Sequence, residues 1–115
     1  MILITKTFLK LLSKIKSVGL DDISLEINKH KTGLDNFKII GTIENRKILK
    51  GYLLSKKIRL VVLFQEKNGS YLPFYLAKKE TKDGYNISKY SLDEIVKKLD
   101  NIFIDLENGD YEIID

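Results

Sequence analysis

The side chains best suited to chemistry in this sequence are basic and aromatic, and they fall on predicted strands. Side chains alternate along 57–66, so Arg59 shares one face of that strand with apolar residues. A guanidinium in such a setting suits a bidentate contact with phosphate. The alternative is an ion pair with an acidic residue of the last predicted helix, such as Asp100 or Glu107. Arg59 therefore predicts either a phosphate site or an internal salt bridge.

Further cationic and aromatic residues lie on or beside the neighbouring predicted strands. Lys78 and Lys79 end one strand and point to opposite faces, so at most one of them serves a given site. Tyr75 shares a face with Lys79, although a tyrosine in a strand is more often a packing residue. The remaining candidates for contacts with a nucleotide backbone or base are Lys47, Lys50 with Tyr52 on its side of the strand, and Tyr85 in a polar loop.

Other familiar catalytic and metal-binding patterns are missing from the sequence. It contains no cysteine, so neither a thiol nucleophile nor a thiolate metal site is available. The single histidine, His30, falls near a predicted helix end, where a cation favours the dipole and a surface or capping role is expected. Asp21-Asp22 and Asp93-Glu94 are typical of helix starts rather than of paired catalytic acids. We therefore expect no metal and no cofactor.

Charge is distributed unevenly along the 115 residues. Residues 1–79 carry 16 Lys or Arg and 6 Asp or Glu, a net +10, whereas residues 80–115 carry 4 and 10, a net −6. A concentrated positive field attracts polyanions, although lysine can also serve simply to keep a surface soluble. No apolar run approaches the roughly 20 residues needed to cross a bilayer, and the first residues lack the pattern of a secretory signal. We expect a cytoplasmic protein without membrane contacts.

The elements that position the basic residues form a predicted antiparallel meander. Asn68-Gly69 is a strong hairpin signal because both residues tolerate positive φ at low cost. Pro73 lacks an amide donor and needs a bulge, a strand start or a solvent-facing position. The run 37–43 is either a fourth strand, paired across Glu44-Asn45, or an irregular segment. Apolar and β-branched runs typical of strands occupy 47–54, 57–66 and 71–79.

Apolar residues recur at helical spacing in three segments. The first two, 6–18 and 20–31, are separated by Gly19 and predict a helical hairpin. The third, 91–107, opens with the capping-box pattern Ser91-Leu92-Asp93-Glu94 and is followed by Asn108-Gly109, which ends it.

Short apolar runs occur at both ends of the sequence. Residues 1–4 predict an edge strand, and residues 111–114 predict a short final strand or clip. The order of elements predicts an α+β fold. We expect an N-terminal helical hairpin packed on one face of a three- to four-stranded antiparallel meander sheet, with a C-terminal helix.

This order resembles the RelE/ParE superfamily of type II toxins, the toxin halves of toxin–antitoxin pairs. The residues that carry the resemblance are the basic meander with Arg59-Leu-Val-Val-Leu-Phe64 and the strand ending Leu76-Ala-Lys-Lys79. It covers roughly residues 5–80 and depends on element order and basic positions. It implies a single RelE/ParE-like toxin domain over 1–115, with the helix at 91–107 as a C-terminal extension.

In the RelE branch, the resemblance implies a metal-independent endoribonuclease that cuts mRNA, typically at the ribosome. The RNA 2′-hydroxyl attacks the adjacent phosphate, which requires a base, an acid and cations. No histidine or suitably placed glutamate is predicted beside Arg59, since Glu66 lies at the hairpin turn. The implied catalytic residues are Arg59, Lys79 and Tyr75, and the implied RNA-binding residues are Lys47, Lys50, Lys78 and Tyr85.

The partners that the resemblance implies are a cognate antitoxin protein and mRNA on the ribosome. The ParE branch, which inhibits gyrase, needs no catalytic base. A non-catalytic toxin, or a module of the same fold that binds nucleic acid or protein, is therefore the alternative function.

Overall fold

The strand that contains Arg59 lies at the centre of the fold. The computed structural model describes residues 1–54, 57–78 and 89–114, with only the backbone described at 89–91. Residues 58–63 are all buried, so both faces of this strand are covered. The elements in chain order are β1 (Ile2–Thr5), α1 (Lys6–Ser13), α2 (Leu20–Lys31), β2 (Lys38–Ile43), β3 (Arg46–Leu53), β4 (Ile58–Gln65), β5 (Ser70–Lys78), α3 (Lys89–Lys97), α4 (Leu99–Asn108) and β6 (Tyr111–Ile114).

The predicted meander is confirmed as strands β2 to β5, which pair antiparallel in chain order. Gly69 has φ of 68° in the β4–β5 turn, as the Asn-Gly signal requires. The run 37–43 supplies strand β2, so the ambiguous segment is a fourth strand. Pro73 lies at a β-bulge, where the register shifts between Val61 and Val62, and the missing amide donor is tolerated there.

The sheet is larger than predicted and is mixed rather than purely antiparallel. It has six strands in the order β2-β3-β4-β5-β1-β6. Strand β1 pairs parallel with β5 on one side and antiparallel with β6 on the other, so the prediction that residues 1–4 form an edge strand is wrong. The prediction of a final strand at 111–114 is confirmed. These pairings join residues far apart in sequence, and local periodicity carries no signal for them.

The first helix is shorter than its apolar periodicity suggests. Helix α1 ends at Ser13, and the chain continues through single turns closed by bonds such as Ile15 N–H to Leu12 O at 3.0 Å. Ile15 and Val18 reach the core from these turns. Helix α1 packs mainly against β5, β1 and α4, whereas α2 packs against β3. The two helices therefore do not form the closely packed hairpin that was predicted.

The predicted helix over 91–107 is divided in two. Helix α3 begins at Lys89, two residues before the predicted capping residue Ser91, and α4 begins after a turn at Lys98. The predicted end is confirmed, because Gly109 follows α4 in the left-handed conformation with φ of 75°. No helix of the described residues is long and apolar enough to span a bilayer.

Helices cover both faces of the sheet rather than one. Ladder partners project to the same side, so the register divides the side chains into an Arg59 face and a His30 face. Helices α3 and α4 lie on the Arg59 face, where a Cβ on Gly41 would meet Leu92 at 3.0 Å. Helix α2 lies on the His30 face, which carries Leu60, Val62 and Phe64 of β4.

Candidate nucleic-acid interface

Arg59 is buried, with only 7% of its surface exposed, and it has no acidic partner among the described residues. Its ladder partners are Tyr52 on β3 and Ala77 on β5. The guanidinium carbon lies 5.7 Å from the centroid of the Tyr52 ring, within cation–π range. Its Nε has no hydrogen-bond partner in the described part of the chain. The expected ion pair with Asp100 or Glu107 is therefore not formed.

Lysines and tyrosines surround Arg59 on the same face. The Lys50 Nζ lies 5.5 Å from the Tyr52 ring centroid, so two cations approach one ring. Lys38 is the ladder partner of Lys50. On β5, Tyr75 is opposite Val61 in the ladder, and the Lys98 Nζ lies 5.4 Å from its ring centroid. We call this set the Arg59 cluster: Lys38, Lys50, Tyr52, Arg59, Tyr75 and Lys98.

The cations of the Arg59 cluster form no ion pair with the described residues. Among the described residues the ion pairs are Lys29–Glu26, Lys47–Glu66 and Lys97–Glu94, and none includes a cation of the cluster. Lys38 and Lys50 are like charges directly opposite each other, which is unfavourable in a sheet. An anion bound between them would relieve that repulsion. The cluster is therefore an electropositive surface with aromatic rings beside it.

The structure brings together only some of the residues predicted for the site. Lys50 and Tyr75 lie near Arg59, as expected. Lys47 is on the His30 face at the far end of β4, where its Nζ lies 3.1 Å from Glu66 Oε2. Lys78 is exposed and is the ladder partner of Ile58, which also places it on the His30 face. Lys79 and Tyr85 lie outside the described residues.

Sequence reasoning missed two members of the cluster, Lys38 and Lys98. Lys38 lies in the run whose assignment was ambiguous, so its partner could not be specified. Lys98 lies in the turn between α3 and α4, inside what was predicted to be one continuous helix. Both positions depend on register and on helix docking, for which the sequence offered no local signal.

His30 is the other residue whose setting was not foreseen. It is half-buried on the sheet instead of occupying a surface cap. Its Nδ1 lies 2.8 Å from the Tyr71 hydroxyl, a hydrogen bond within an aromatic cluster. The imidazole meets the rings of Phe37, Phe64 and Tyr71 edge-on, with centroids 5.4 to 5.7 Å apart. The sequence signal for this setting was the apolar face of α2 together with the aromatic residues Phe64 and Tyr71 at the ends of β4 and β5.

Burial changes the acid–base properties of this pair. Desolvation lowers the pKa of His30 below its usual value, nearby Lys47 lowers it further, and Asp35 opposes both. Desolvation also raises the pKa of the Tyr71 hydroxyl. The imidazole is therefore predominantly neutral near pH 7, with one nitrogen that donates and one that accepts a hydrogen bond.

A groove of about 990 Å³ opens beside His30. Aromatic rings and strand residues form its floor, and charged residues of α2, β2 and β3 form its rims. Gly51 leaves the space that the Phe37 ring occupies, because a Cβ at Gly51 would lie 2.5 Å from the ring. Lys38, Lys50 and Tyr52 line this groove and also belong to the Arg59 cluster. The two regions therefore meet at the β2–β3 edge of the sheet.

Comparisons with protein-family models, curated proteins and solved structures found no match to this chain. No group of three or more His, Cys, Asp or Glu side chains that could hold a metal ion occurs in residues 1–54, 57–78 and 89–114.

Proposed function

We propose that this chain binds single-stranded RNA through the Arg59 cluster and acts as a RelE/ParE-like toxin. One observation supports this above the others: the cluster holds cations without acidic partners among the described residues, next to tyrosine rings. Proteins that bind single strands combine these two features, since cations follow the phosphate backbone and rings stack on bases.

The exposed or half-buried cluster members on β2 and β3 make the direct contacts with RNA. Lys38 and Lys50 hold a phosphate between them, because their opposed ammonium groups need a counter-anion. Tyr52 is half-buried and offers part of its ring for packing against a base. Arg59 lies beneath this ring and adds to the positive potential. A direct contact between Arg59 and phosphate requires the side chains that cover it to move.

Metal-independent cleavage, as in the RelE branch, is the activity we propose for this site. The 2′-oxygen bonds to phosphorus as its proton passes to a base, and the 5′-oxygen leaves with a proton from an acid. The products are a 2′,3′-cyclic phosphate and a 5′-hydroxyl. Arg59 would stabilise the developing negative charge once uncovered. Tyr75 is 4% exposed and acts by positioning its neighbours. Lys79 keeps the catalytic role that the resemblance implies.

The biological setting follows from the same proposal. The targets are mRNA on the ribosome, and a cognate antitoxin protein neutralises the toxin. The toxin would encounter both the mRNA and the antitoxin in the cytoplasm. An acidic antitoxin segment lying on Lys38 and Lys50 would block the surface that binds RNA.

A non-catalytic binding module of this fold is the second candidate, and a specific observation favours it. Among the described residues, no carboxylate forms an ion pair with Arg59, and His30 is on the opposite face of the sheet. A gyrase inhibitor of the ParE type, or another nucleic-acid- or protein-binding module, needs no base there. Binding and cleavage must therefore be measured separately.

The binding test compares two doubly substituted proteins of equal net charge. Lys38→Glu/Lys50→Glu reverses the opposed lysine pair of the Arg59 cluster, in which Lys38 is exposed and Lys50 half-buried. Lys31→Glu/Lys67→Glu makes the same change at the other end of β4, at exposed positions. We expect the first variant to bind a labelled single-stranded RNA of about ten nucleotides at least about tenfold more weakly than the second, by fluorescence anisotropy. Equal affinities would exclude the cluster as the RNA site.

The cleavage test uses purified protein, RNA and excess chelator, together with induction in cells. Ribonuclease activity would yield 2′,3′-cyclic phosphate ends in vitro and cuts in phase with codons in cells. Lys38→Glu/Lys50→Glu should abolish both effects, whereas Lys31→Glu/Lys67→Glu should retain them. Growth arrest without RNA cleavage would favour the non-catalytic module.

A further inference from the structure

We propose that the groove beside His30 is a subsite for a nucleobase that carries an exocyclic amino group, such as cytosine or adenine. The inference rests on the proposed function, because the base belongs to an RNA strand held at the Arg59 cluster. It assigns a role to the His30 face, which the proposed function leaves unused.

The floor of the groove suits a flat aromatic ring. The imidazole of His30 is nearly perpendicular to the rings of Phe37 and of Phe64, so the wall is built of ring faces and edges. Leu49 adds apolar surface and is itself buried. Sites for small ligands combine an apolar wall of this kind with a few polar groups that fix the orientation.

Charged groups of both signs line the groove, and those that pair with a neighbour are Glu26, Lys47 and Glu66. Asp35, on the loop rim, has an exposed carboxylate without a hydrogen bond or ion pair among the described residues. On the strand rim, Lys38 and Lys50 are likewise unpaired in that part of the chain. Because Nδ1 of His30 is engaged by Tyr71, Nε2 is the nitrogen left for a ligand. A nucleotide matches this order: its amino group faces Asp35 and its phosphate faces the lysines.

Continuity with the Arg59 cluster gives the strand a path. Strand β2 begins at Lys38, so the ladder between β2 and β3 starts at the pair Lys38 and Lys50. Those two lysines line the groove and also belong to the cluster. A phosphate bound between them can have one neighbouring base on the Arg59 face and the other in the groove. The Arg59 cluster and the groove thus bind one RNA strand from the two faces of the sheet at this edge.

The test uses the single histidine as a spectroscopic probe. With one imidazole in the sequence, the His30 C2 proton gives one identifiable resonance by NMR. Titration with CMP should shift this resonance and show binding about tenfold tighter than with UMP, which differs by a carbonyl in place of the amino group. Ribose 5-phosphate, which lacks a base, should leave the resonance in place.

A matched pair of variants tests the acidic rim. Asp35→Asn removes the carboxylate at an exposed position and should make the affinities for CMP and UMP equal. Asp100→Asn makes the same chemical change at an exposed position of α4, on the other face of the sheet, and should preserve the difference. If CMP, UMP and ribose 5-phosphate move the resonance equally in the native protein, the groove binds phosphate alone and the inference is wrong.

The groove and the proposed function fail in different ways. If Lys38→Glu/Lys50→Glu weakens RNA binding but CMP does not shift the His30 resonance, the function stands and the subsite is wrong. If CMP binds with the expected preference but the double variant binds RNA as the control does, the subsite stands as a mononucleotide site and the proposed function is wrong.

Discussion

Asp105 shows how one buried carboxylate joins two distant parts of this chain. Its Oδ2 accepts a hydrogen bond of 2.7 Å from the backbone N–H of Thr7, in the first turn of α1. That amide is one of the donors that a helix leaves free at its start, where the dipole also favours negative charge. Thr5 caps the same turn through Phe8 N–H. Helix α4 therefore supplies part of the capping of α1.

The hydrogen bonding from Thr7 lowers the pKa of Asp105 below its usual value of 3.8, burial opposes this, and Lys6 and Lys10 add to the lowering. A carboxylate with a depressed folded-state pKa contributes stability above its unfolded pKa. That contribution is lost as the pH falls through the folded-state pKa.

We predict that Asp105→Ala lowers the free energy of unfolding by about 1 to 3 kcal/mol at neutral pH, because it leaves the Thr7 amide without its partner. Asp105→Asn should cost less, since an amide oxygen still accepts. Urea denaturation provides the measurement. The difference from the native protein should shrink as the pH falls below the usual aspartate pKa of 3.8. Asp100→Asn, exposed on the same helix, is the control, and a loss that does not change with pH would contradict the electrostatic account.

At the scale of elements, the turn after α4 determines how the sheet is completed. Gly109 adopts φ of 75°, and the Asp110 N–H then bonds to Asp105 O at 2.8 Å. The Asp110 carbonyl in turn accepts from Lys6 N–H at 3.0 Å, directly beside the β1–β6 ladder. The left-handed residue thus reverses the chain and aligns β6 with β1.

Replacement of Gly109 tests this turn. Gly109→Ala should lower the free energy of unfolding by about 1 kcal/mol, since a Cβ is disfavoured in the left-handed region. Gly109→Asn should cost less, because asparagine tolerates that conformation. Asn108→Ala, one residue earlier and helical, should cause no loss. Thermal or urea unfolding of the three variants measures the order, and equal stabilities for alanine and asparagine at 109 would count against it.

At the scale of the whole molecule, two covered sheet faces meet at one basic edge. Lys38 and Lys50 lie where the Arg59 cluster and the His30 groove join. Acidic residues are concentrated in the last third of the sequence, and basic residues precede them. An ion pair elsewhere, such as that of Lys47 with Glu66, is exposed and adds little to stability. In the described part of the chain, this edge therefore carries two lysines without acidic partners.

Salt dependence is the prediction that belongs to this scale. If the four cations of the cluster neutralise phosphates, the logarithm of the RNA association constant should fall with the logarithm of salt concentration with a slope of about −2 to −3. Anisotropy titrations over a range of potassium chloride measure it. Lys38→Glu/Lys50→Glu should flatten the slope, whereas Lys31→Glu/Lys67→Glu should leave it nearly unchanged. A slope near zero for the native protein would show that phosphate contacts do not drive binding.

Features governed by neighbouring residues were predictable from the sequence. The β4–β5 hairpin follows from Asn68-Gly69, and the end of α4 follows from Gly109; Pro73 left a bulge as one of three alternatives, and the structure has the bulge. Strand alternation likewise predicted that Arg59 shares one face of its strand with Val61 and Leu63. Each depends on backbone preferences or on side-chain period, which are local properties.

Tertiary structure alone decided the rest. The parallel pairing of β1 with β5 joins residues about 70 positions apart, and no local pattern specifies such a partner. The same holds for the site. Strand register separated Lys47 from Arg59 and brought Lys38 opposite Lys50. Docking of α2 placed His30, half-buried, among the aromatic rings of the groove. The amino-acid sequence determined which side chains share a strand face. Long-range contacts determined which faces meet, because register and packing are settled by the free energy of the whole fold.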